Sequence, residues 1–509
     1  MKLNILKIVF VQITLCVFCL CATNDSHAAT LRIGTLTLPP ALGNPYTAVG
    51  YPSTLALSAI FDGLTRFSPD GKLSPALATS WELVAPTVWR FHLRGGVQFH
   101  NTSPFNAAAA AASIRFLANP ATTMLVAKEF RDVAEVRVVD NLTLDIVSQA
   151  PDPLLPQKLT VAAIVEPTSW AMLGPEEFAR KPIGTGSYHL EEWGKGAAHA
   201  VLTAAKASWR QPYVDRIEIV PSSEPLVRVQ ALTSGQLDII VGLDPEDVSS
   251  LKEQGYRVYS ADLPSVYAIA FRSVRPDSSP IKNVLVREAL NLAIDRQAIV
   301  KTLFNGLAKP ASQGATEGVV GFSPELQPIP YDPDRAKALL IQAGYKNGFR
   351  LVIDLSPDSA EQAMYELIAE NLKSIGVSLE IRTIPFATWL SRYNSGDWNS
   401  EVDGFNHIWN TALFNDSQRP FEYFSCLKTP PFFCDPKTTE EIKFAAHEMD
   451  SAKRERQLQK LQAEYRDLAP SVLLISRPIL YATIKTVSGF EARVTDGNIL
   501  LENLRLSSQ

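Results

Sequence analysis

Apolar positions along the chain recur with two periods, and the switches between them mark out its elements. Leu31 to Leu36 alternates as a first predicted strand, and a Pro/Gly-rich loop follows over 38–53. Leu55 to Leu64 then takes helical spacing. Between Ala76 and His100 two short strands flank Pro86 and run into a turn at Gly95-Gly96. Ala107 to Leu117 is an alanine-rich helix, and Val133 to Ser148 a hairpin turned at Asp140-Asn141. The block from about 65 to 180 thus predicts a β-rich unit with one or two helices, inserted into a first lobe.

The middle of the chain is more regular. Val214 to Val220 predicts a strand, Pro225 to Gly235 a helix, and Leu237 to Val241 a strand; Asp244-Pro245 then caps a short helix. Val286, Leu290, Ala293, Ile294 and Val300 share one helical face, which predicts a single helix running to Gly306. Asp332-Pro333 opens a further helix that Gly344 closes. Arg350 to Leu355 is a strand, Ala360 to Ser374 a helix stopped by Gly376, and Val377 to Pro385 a strand. Strand, helix and strand at this spacing form a parallel βαβ unit. The reading is two α/β lobes, the first interrupted by the insert, with no internal repeat or low-complexity tract.

The first residues alter the compartment. Lys2 and Lys7 precede or interrupt an apolar run from Ile5 to Cys21, and Ser26-His27-Ala28 offers small residues where a signal peptidase reads. This predicts a signal peptide over 1–28, cleaved after Ala28, and an exported mature chain. A retained anchor is the alternative; Lys7, Gln12 and Thr14 interrupt the run, which is short for a bilayer span. Lipidation is disfavoured, because Cys16, Cys19 and Cys21 follow Leu, Phe and Leu rather than a small residue.

Without Lys2, Lys7 and Asp25, the 48 basic and 53 acidic residues become 46 and 52, a net charge of −6. That balance argues against nucleic acid, which needs a basic stripe to displace counterions, and against anionic lipid. Of five cysteines only Cys426 and Cys434 survive cleavage. Eight apart in an oxidising compartment, they point to one local disulfide, worth roughly 2–3 kcal/mol in the chain-entropy model. A redox or metal pair is the sharper alternative.

Candidate chemistry is sparse. Lys181-Pro182-Ile183-Gly184-Thr185-Gly186 resembles a phosphate cradle only in its glycines. Tyr188-His189-Leu190 continues as a strand toward a hairpin at 194–196, so no helix N-terminus is there to hold an anion. The nucleophile-elbow, zinc-protease and paired CxxC patterns do not occur in the mature chain. His92 and His100 share a strand-turn-strand segment but lack a third ligand, so no metal site and no cofactor is assigned. The chain is read as a non-enzyme, with an exported two-lobed hydrolase as the competing class.

Six segments, 76–82, 87–107, 181–193, 234–242, 286–311 and 331–349, resemble in order the signature segments of the peptide/nickel/opine family of extracytoplasmic solute-binding proteins. The resemblance implies an α/β, two-lobed periplasmic binding protein fold of type II, with an extra β-rich subdomain in the first lobe. Lobe 1 would cover 29–262, with the insert at about 65–180 and completion by 481–509; lobe 2 would cover 263–480. It also implies two strands crossing between lobes that close on a ligand, and a structural role for Gly184 and Gly186, which let the chain turn tightly.

The function so implied is the periplasmic substrate-binding component of an ABC importer. It would capture oligopeptides or peptide-like solutes by hinge closure and deliver them to an inner-membrane permease driven by cytoplasmic ATPase subunits. A nickel-chelate or opine receptor of the same family is the alternative, and a sensing receptor a further class; a monomer is expected. Val49, Gly50 and Tyr51 match a stretch that offers backbone groups to an extended peptide. Trp409, with Asn410 beside it, matches a pocket tryptophan. In dipeptide binders a downstream aspartate pairs with the ligand amine. Here Phe414-Asn415-Asp416-Ser417 replaces the usual run, leaving Asp416, displaced by about one position, as the candidate.

Overall fold

The computed structural model describes residues 30–356 and 359–507. The expected signal segment 1–28 lies outside them. Two large sheets organise the chain. The first has the strand order Arg257–Asp262, Pro478–Thr483, Ile239–Val241, Thr30–Thr35, Arg216–Pro221, Ala200–Ala204, Tyr188–Trp193. Its centre is parallel, Thr30–Thr35 running alongside both Arg216–Pro221 and Ile239–Val241, and its flanks are antiparallel. The second sheet orders Val377–Thr383, Phe349–Leu355, Gly404–Asn410, Ser265–Phe271, Ser471–Leu473. Here Phe349–Leu355 pairs in parallel with Val377–Thr383 through the helix Ser359–Ser374, the expected βαβ unit.

The insert is a four-stranded antiparallel sheet, Ala78–Ala85, Val88–Leu93, Thr143–Ser148, Val133–Asp140. Its hairpin closes with Asp140 opposite Thr143, where the Asp140-Asn141 signal placed the turn. The insert is not an independent unit. Phe91, Leu144 and Ile146 belong to the same apolar core as Leu31 and Ile33 of the first sheet, so burial of one stabilises the other. The second sheet is covered on both faces. Ile269, Phe271 and Ile353 pack on one side, and Ala268, Phe405 and Trp409 on the other.

Helix starts follow their caps. The side chains of Asn106, Asp332, Asp435 and Asp450 each accept a hydrogen bond from a backbone N–H in the first turn of the helix that follows. Two expectations are corrected. The single helix to Gly306 is two, Val284–Leu292 and Arg296–Leu303, because Asp295 caps a new start by accepting from Ala298 N–H. The helix expected from Asp244-Pro245 begins later, at Asp247.

The chain passes between the sheets twice, and the passages touch. Arg257–Asp262 leads through Leu263-Pro264 into Ser265–Phe271, and Ser471–Leu473 and Ile475–Ser476 lead through Arg477 into Pro478–Thr483. Asp262 and Pro478 are partners in the ladder at this junction. Proline at 264 and 478 fixes φ on each passage, stiffening the connection. Cys426 and Cys434 are disulfide-bonded. Among the described residues no helix is long and apolar enough to cross a membrane.

Candidate functional site

A cavity of about 260 Å³ lies between the two lobes at the strand ends nearest the crossovers. Val49, Gly50, Tyr51 and Thr54 form one side, and Leu263, Ser265, Asn410, Ala412, Leu413 and Arg419 come from the other lobe. A third wall is the C-terminal segment Arg493–Asn498.

The loop carrying Val49 to Tyr51 is held by that C-terminal segment. Tyr51 N–H donates to Asp496 O at 3.2 Å, and Asn498 Nδ2 donates to the Thr54 hydroxyl at 2.9 Å. Gly50 has φ +72°, the left-handed region that glycine adopts freely. A side chain of Asn410 closes the end of its strand, its Oδ1 accepting from Ala412 N–H at 2.9 Å.

The floor is a buried ion network. Arg210 spans Asp62 at 2.9 Å and Glu502 at 2.6 Å. Asp62 also accepts from the Thr185 hydroxyl at 2.8 Å and the Trp209 indole N–H at 3.0 Å. Burial alone would raise the Glu502 carboxyl; Arg210 and Arg66 beside it hold it below its ordinary value. Arg66 reaches Glu502 from the cavity side at 3.3 Å. Burial and the neighbouring Arg210 pull the Arg66 guanidinium down, against the pull of Glu502.

Thr185 explains the Gly184-Thr185-Gly186 turn. Neither glycine takes a positive φ. What they supply is close approach: a Cβ at Gly184 would stand 2.1 Å from Ile60 O, and one at Gly186 2.1 Å from Ala59 O. Gly186 N–H donates to Ile60 O at 2.9 Å, completing the end of the helix Leu55–Ile60. The turn therefore docks on that helix and delivers Thr185 to Asp62.

Trp409 is not on the cavity. It is 2% exposed, inside the core on the covered face of the second sheet. Strand alternation sends Phe405 and Trp409 to that face, while Asn410, the last residue, reaches the cavity edge. Asp416 is not available to a ligand either. Its carboxylate takes two bonds from Arg454, at 2.5 and 3.0 Å, plus Gln418 N–H at 2.8 Å, all buried. Both expectations came from position along the chain, and core packing claims the side chains. Arg66, Arg210, Arg419, Arg493, Thr495 and Asn498 line the cavity without having been singled out in the sequence.

His92 and His100 do not come together. His92 Nε2 lies 3.2 Å from Glu82, whereas His100 sits under the glycine turn, its Nε2 3.1 Å from Gly186 O. Among the described residues no group of three His, Cys, Asp or Glu could hold a metal ion.

Several contacts bridge the lobes. Arg419 lies 3.5 Å from Glu129, Asn415 Nδ2 donates to Gly71 O at 3.1 Å, and His447 Nδ1 lies 2.8 Å from Pro151 O. Two sheet-based lobes, two adjacent crossovers and a cavity gripped from both sides define a two-lobed solute-binding protein. The chain belongs to the bacterial extracellular solute-binding proteins, family 5, whose model matches residues 72–426.

Relatives agree over nearly the whole length. A glutathione-binding protein GsiB of Pectobacterium atrosepticum is 25% identical over 469 residues, 88% of each chain. The periplasmic binding protein DppA of Helicobacter pylori, solved in complex with peptide STSA, superposes with a TM-score of 0.79 at 21% identity. That match covers 94% of this chain and 98% of DppA. The binding protein AgaA, from the A. tumefaciens R10 strain and in complex with agropinic acid, gives a TM-score of 0.77 at 24% identity, covering 94% and 99%.

Proposed function

We propose that this protein is the periplasmic receptor of an ABC importer. It would capture a peptide-like solute between its lobes and hand it unaltered to a membrane permease coupled to cytoplasmic ATPase subunits. The observation that carries this reading is the cavity itself, whose walls come from both lobes and the C-terminal segment. A solute seated there makes contacts that separated lobes could not make, and only such a difference can shift a hinge equilibrium. Val49, Gly50, Tyr51 and Asn410 are its proposed contacts on the two sides.

The lobes are taken as 29–262 with 481–509, and 263–480; the chain acts as an exported monomer after removal of 1–28. No reaction is assigned. The ionisable groups on the floor hold one another, so none is poised as a nucleophile or general base toward the cavity. The GsiB, DppA and AgaA relatives support small peptides or opines as the cargo range.

The test is to incubate the purified mature protein with a periplasmic extract, then wash, denature and analyse the released solute by mass spectrometry. A stoichiometric solute, identical in mass to its free form in the extract, is expected. A solute recovered only as a cleaved product would overturn the receptor reading in favour of a hydrolase.

A further inference from the structure

The insert and the second lobe meet along a seam outside the cavity, and the charges on it are unevenly paired. From the first lobe come Glu129, in the turn Val126–Phe130, and Lys158, at the end of the short helix Leu155–Lys158. From the second come Arg419, Glu422 and Tyr423 on the helix Gln418–Tyr423, and His447 at the end of the helix Pro436–His447. Arg419 lies 3.5 Å from Glu129, and His447 Nδ1 lies 2.8 Å from Pro151 O. Arg419 also lines the cavity; Glu129, Lys158, Glu422 and His447 do not.

Both cations facing Glu422 are committed to other carboxylates. Lys158 Nζ stands 2.7 Å from Asp152, with Asp132 and Glu129 also acting on it. Arg419 leans on Glu129, its guanidinium 5.0 Å over the ring of Tyr423. Glu422 is half-buried, and its carboxylate accepts from Gln418 Nε2 at 3.0 Å. Among the described residues no cation stands within ion-pair distance of it. The charged groups that face it are Lys158 and Glu129 across the seam and Arg419 on its own helix. A carboxylate enclosed there loses water without gaining an ionic partner, which favours its neutral form. Burial pushes the Glu422 carboxyl up and Glu129 adds to the push, against Gln418, Lys158 and Arg419.

We propose that this seam is a latch that tightens on acidification. Glu422 takes up a proton as the insert closes over it, and the Arg419–Glu129 and His447–Pro151 contacts then hold the lobes without repulsion between Glu422 and Glu129. When the lobes part, Glu422 returns to water and to its ordinary 4.5, whereas the closed lobes keep its proton to higher pH. The contribution to closure is therefore complete below 4.5 and is lost as pH rises through the raised value. A solute enclosed between the lobes is held more tightly in acid, although Glu422 does not touch it. The proposal rests on the receptor reading and names a regulation of its closure.

The experiment is solution X-ray scattering of the mature protein, stripped of solute, at pH 8 and pH 5, for wild type, Glu422→Gln and His447→Asn. Wild type should have a smaller radius of gyration at pH 5. Glu422→Gln, uncharged and of nearly the same shape, should be as compact at pH 8 as at pH 5. His447→Asn, which removes the other titratable group on the seam, should keep the pH difference. Melting curves confirm that each protein is folded at both pH values, and Glu422→Ala, with the same expected loss of pH response, replaces a glutamine variant that fails to fold. Coincident wild-type curves, a pH difference that survives in the folded Glu422 variant, or one that disappears with His447 overturns the latch. Solute capture from periplasmic extract at the same two pH values separates this result from the receptor reading. More solute retained at pH 5 is expected; equal retention overturns the latch alone, and no capture at either pH overturns the receptor reading and the latch with it.

Discussion

The indole of Trp409 lies flat against the ring of Phe424, centroids 4.2 Å apart and planes 17° from parallel. Phe421 and Tyr465 meet it edge-on at 5.8 and 5.7 Å, and its N–H donates to the Ser471 hydroxyl at 3.1 Å. Gly314 makes the room: a Cβ there would fall 2.2 Å from the indole. Trp409→Ala is therefore expected to lower unfolding stability by about 3–5 kcal/mol, as for other buried aromatics, and to leave solute affinity within a few-fold wherever the variant is folded. Denaturant titration and calorimetry check both parts. Normal stability with lost affinity would place Trp409 at the ligand instead.

Asp416 and Arg454 make a second falsifiable pair. Their ion pair is buried at both ends, with Arg454 Nε also donating to Ala445 O at 3.0 Å. Arg454→Met strands a buried carboxylate and should cost about 3–5 kcal/mol, whereas removing both charges together should recover most of that. A double-mutant cycle measured by thermal unfolding gives the coupling. A single variant as stable as wild type would show that the pair contributes nothing.

The glycine turn predicts a steric effect. At Gly186 an added methyl meets the Ala59 carbonyl, a backbone atom that cannot rotate away. Gly186→Ala should destabilise by about 1–3 kcal/mol. It should also weaken solute binding, because Thr185 holds Asp62 and hence Arg210. Gly196→Ala, at an exposed turn where a Cβ meets nothing but φ is +69°, is the contrast: strain without loss of the cavity floor.

His100 makes the fold sensitive to acid. Its Nδ1 accepts from Gly184 N–H at 3.4 Å while Nε2 donates to Gly186 O. Burial pushes the ring down to about 4, with His189 and Arg210 adding to the push and the Gly186 carbonyl and Asp62 opposing it. A proton on Nδ1 would face the Gly184 N–H. The unfolded chain binds that proton near the ordinary 6.5, so the contribution is full above pH 6.5 and is lost as pH falls toward 4. The loss is on the order of 3 kcal/mol. Unfolding midpoints from pH 7 to pH 4 should fall more steeply for wild type than for His100→Asn. Equal slopes would exclude the histidine.

Local signals carried much of this fold. The hairpin at Asp140, the helix between Asp332 and Gly344 and the parallel unit over 349–383 are each written in a few adjacent residues. The cavity is not written that way. Gly404–Asn410 alternates, but both faces of its sheet are covered, so alternation alone could not say which side Trp409 takes. Arg493–Asn498 reads locally as a turn. Its role as a wall depends on bonds to Tyr51 and Thr54 across more than four hundred residues. Arg66 and Arg210 become a floor only when Glu502 arrives between them.

Solution X-ray scattering tests the central claim most directly. Protein stripped of solute by denaturation and refolding should show a larger radius of gyration than the same protein reloaded with its native solute, as bridging contacts such as Asn415 to Gly71 form. Identical curves for the stripped and the saturated protein would contradict a receptor that closes around its cargo.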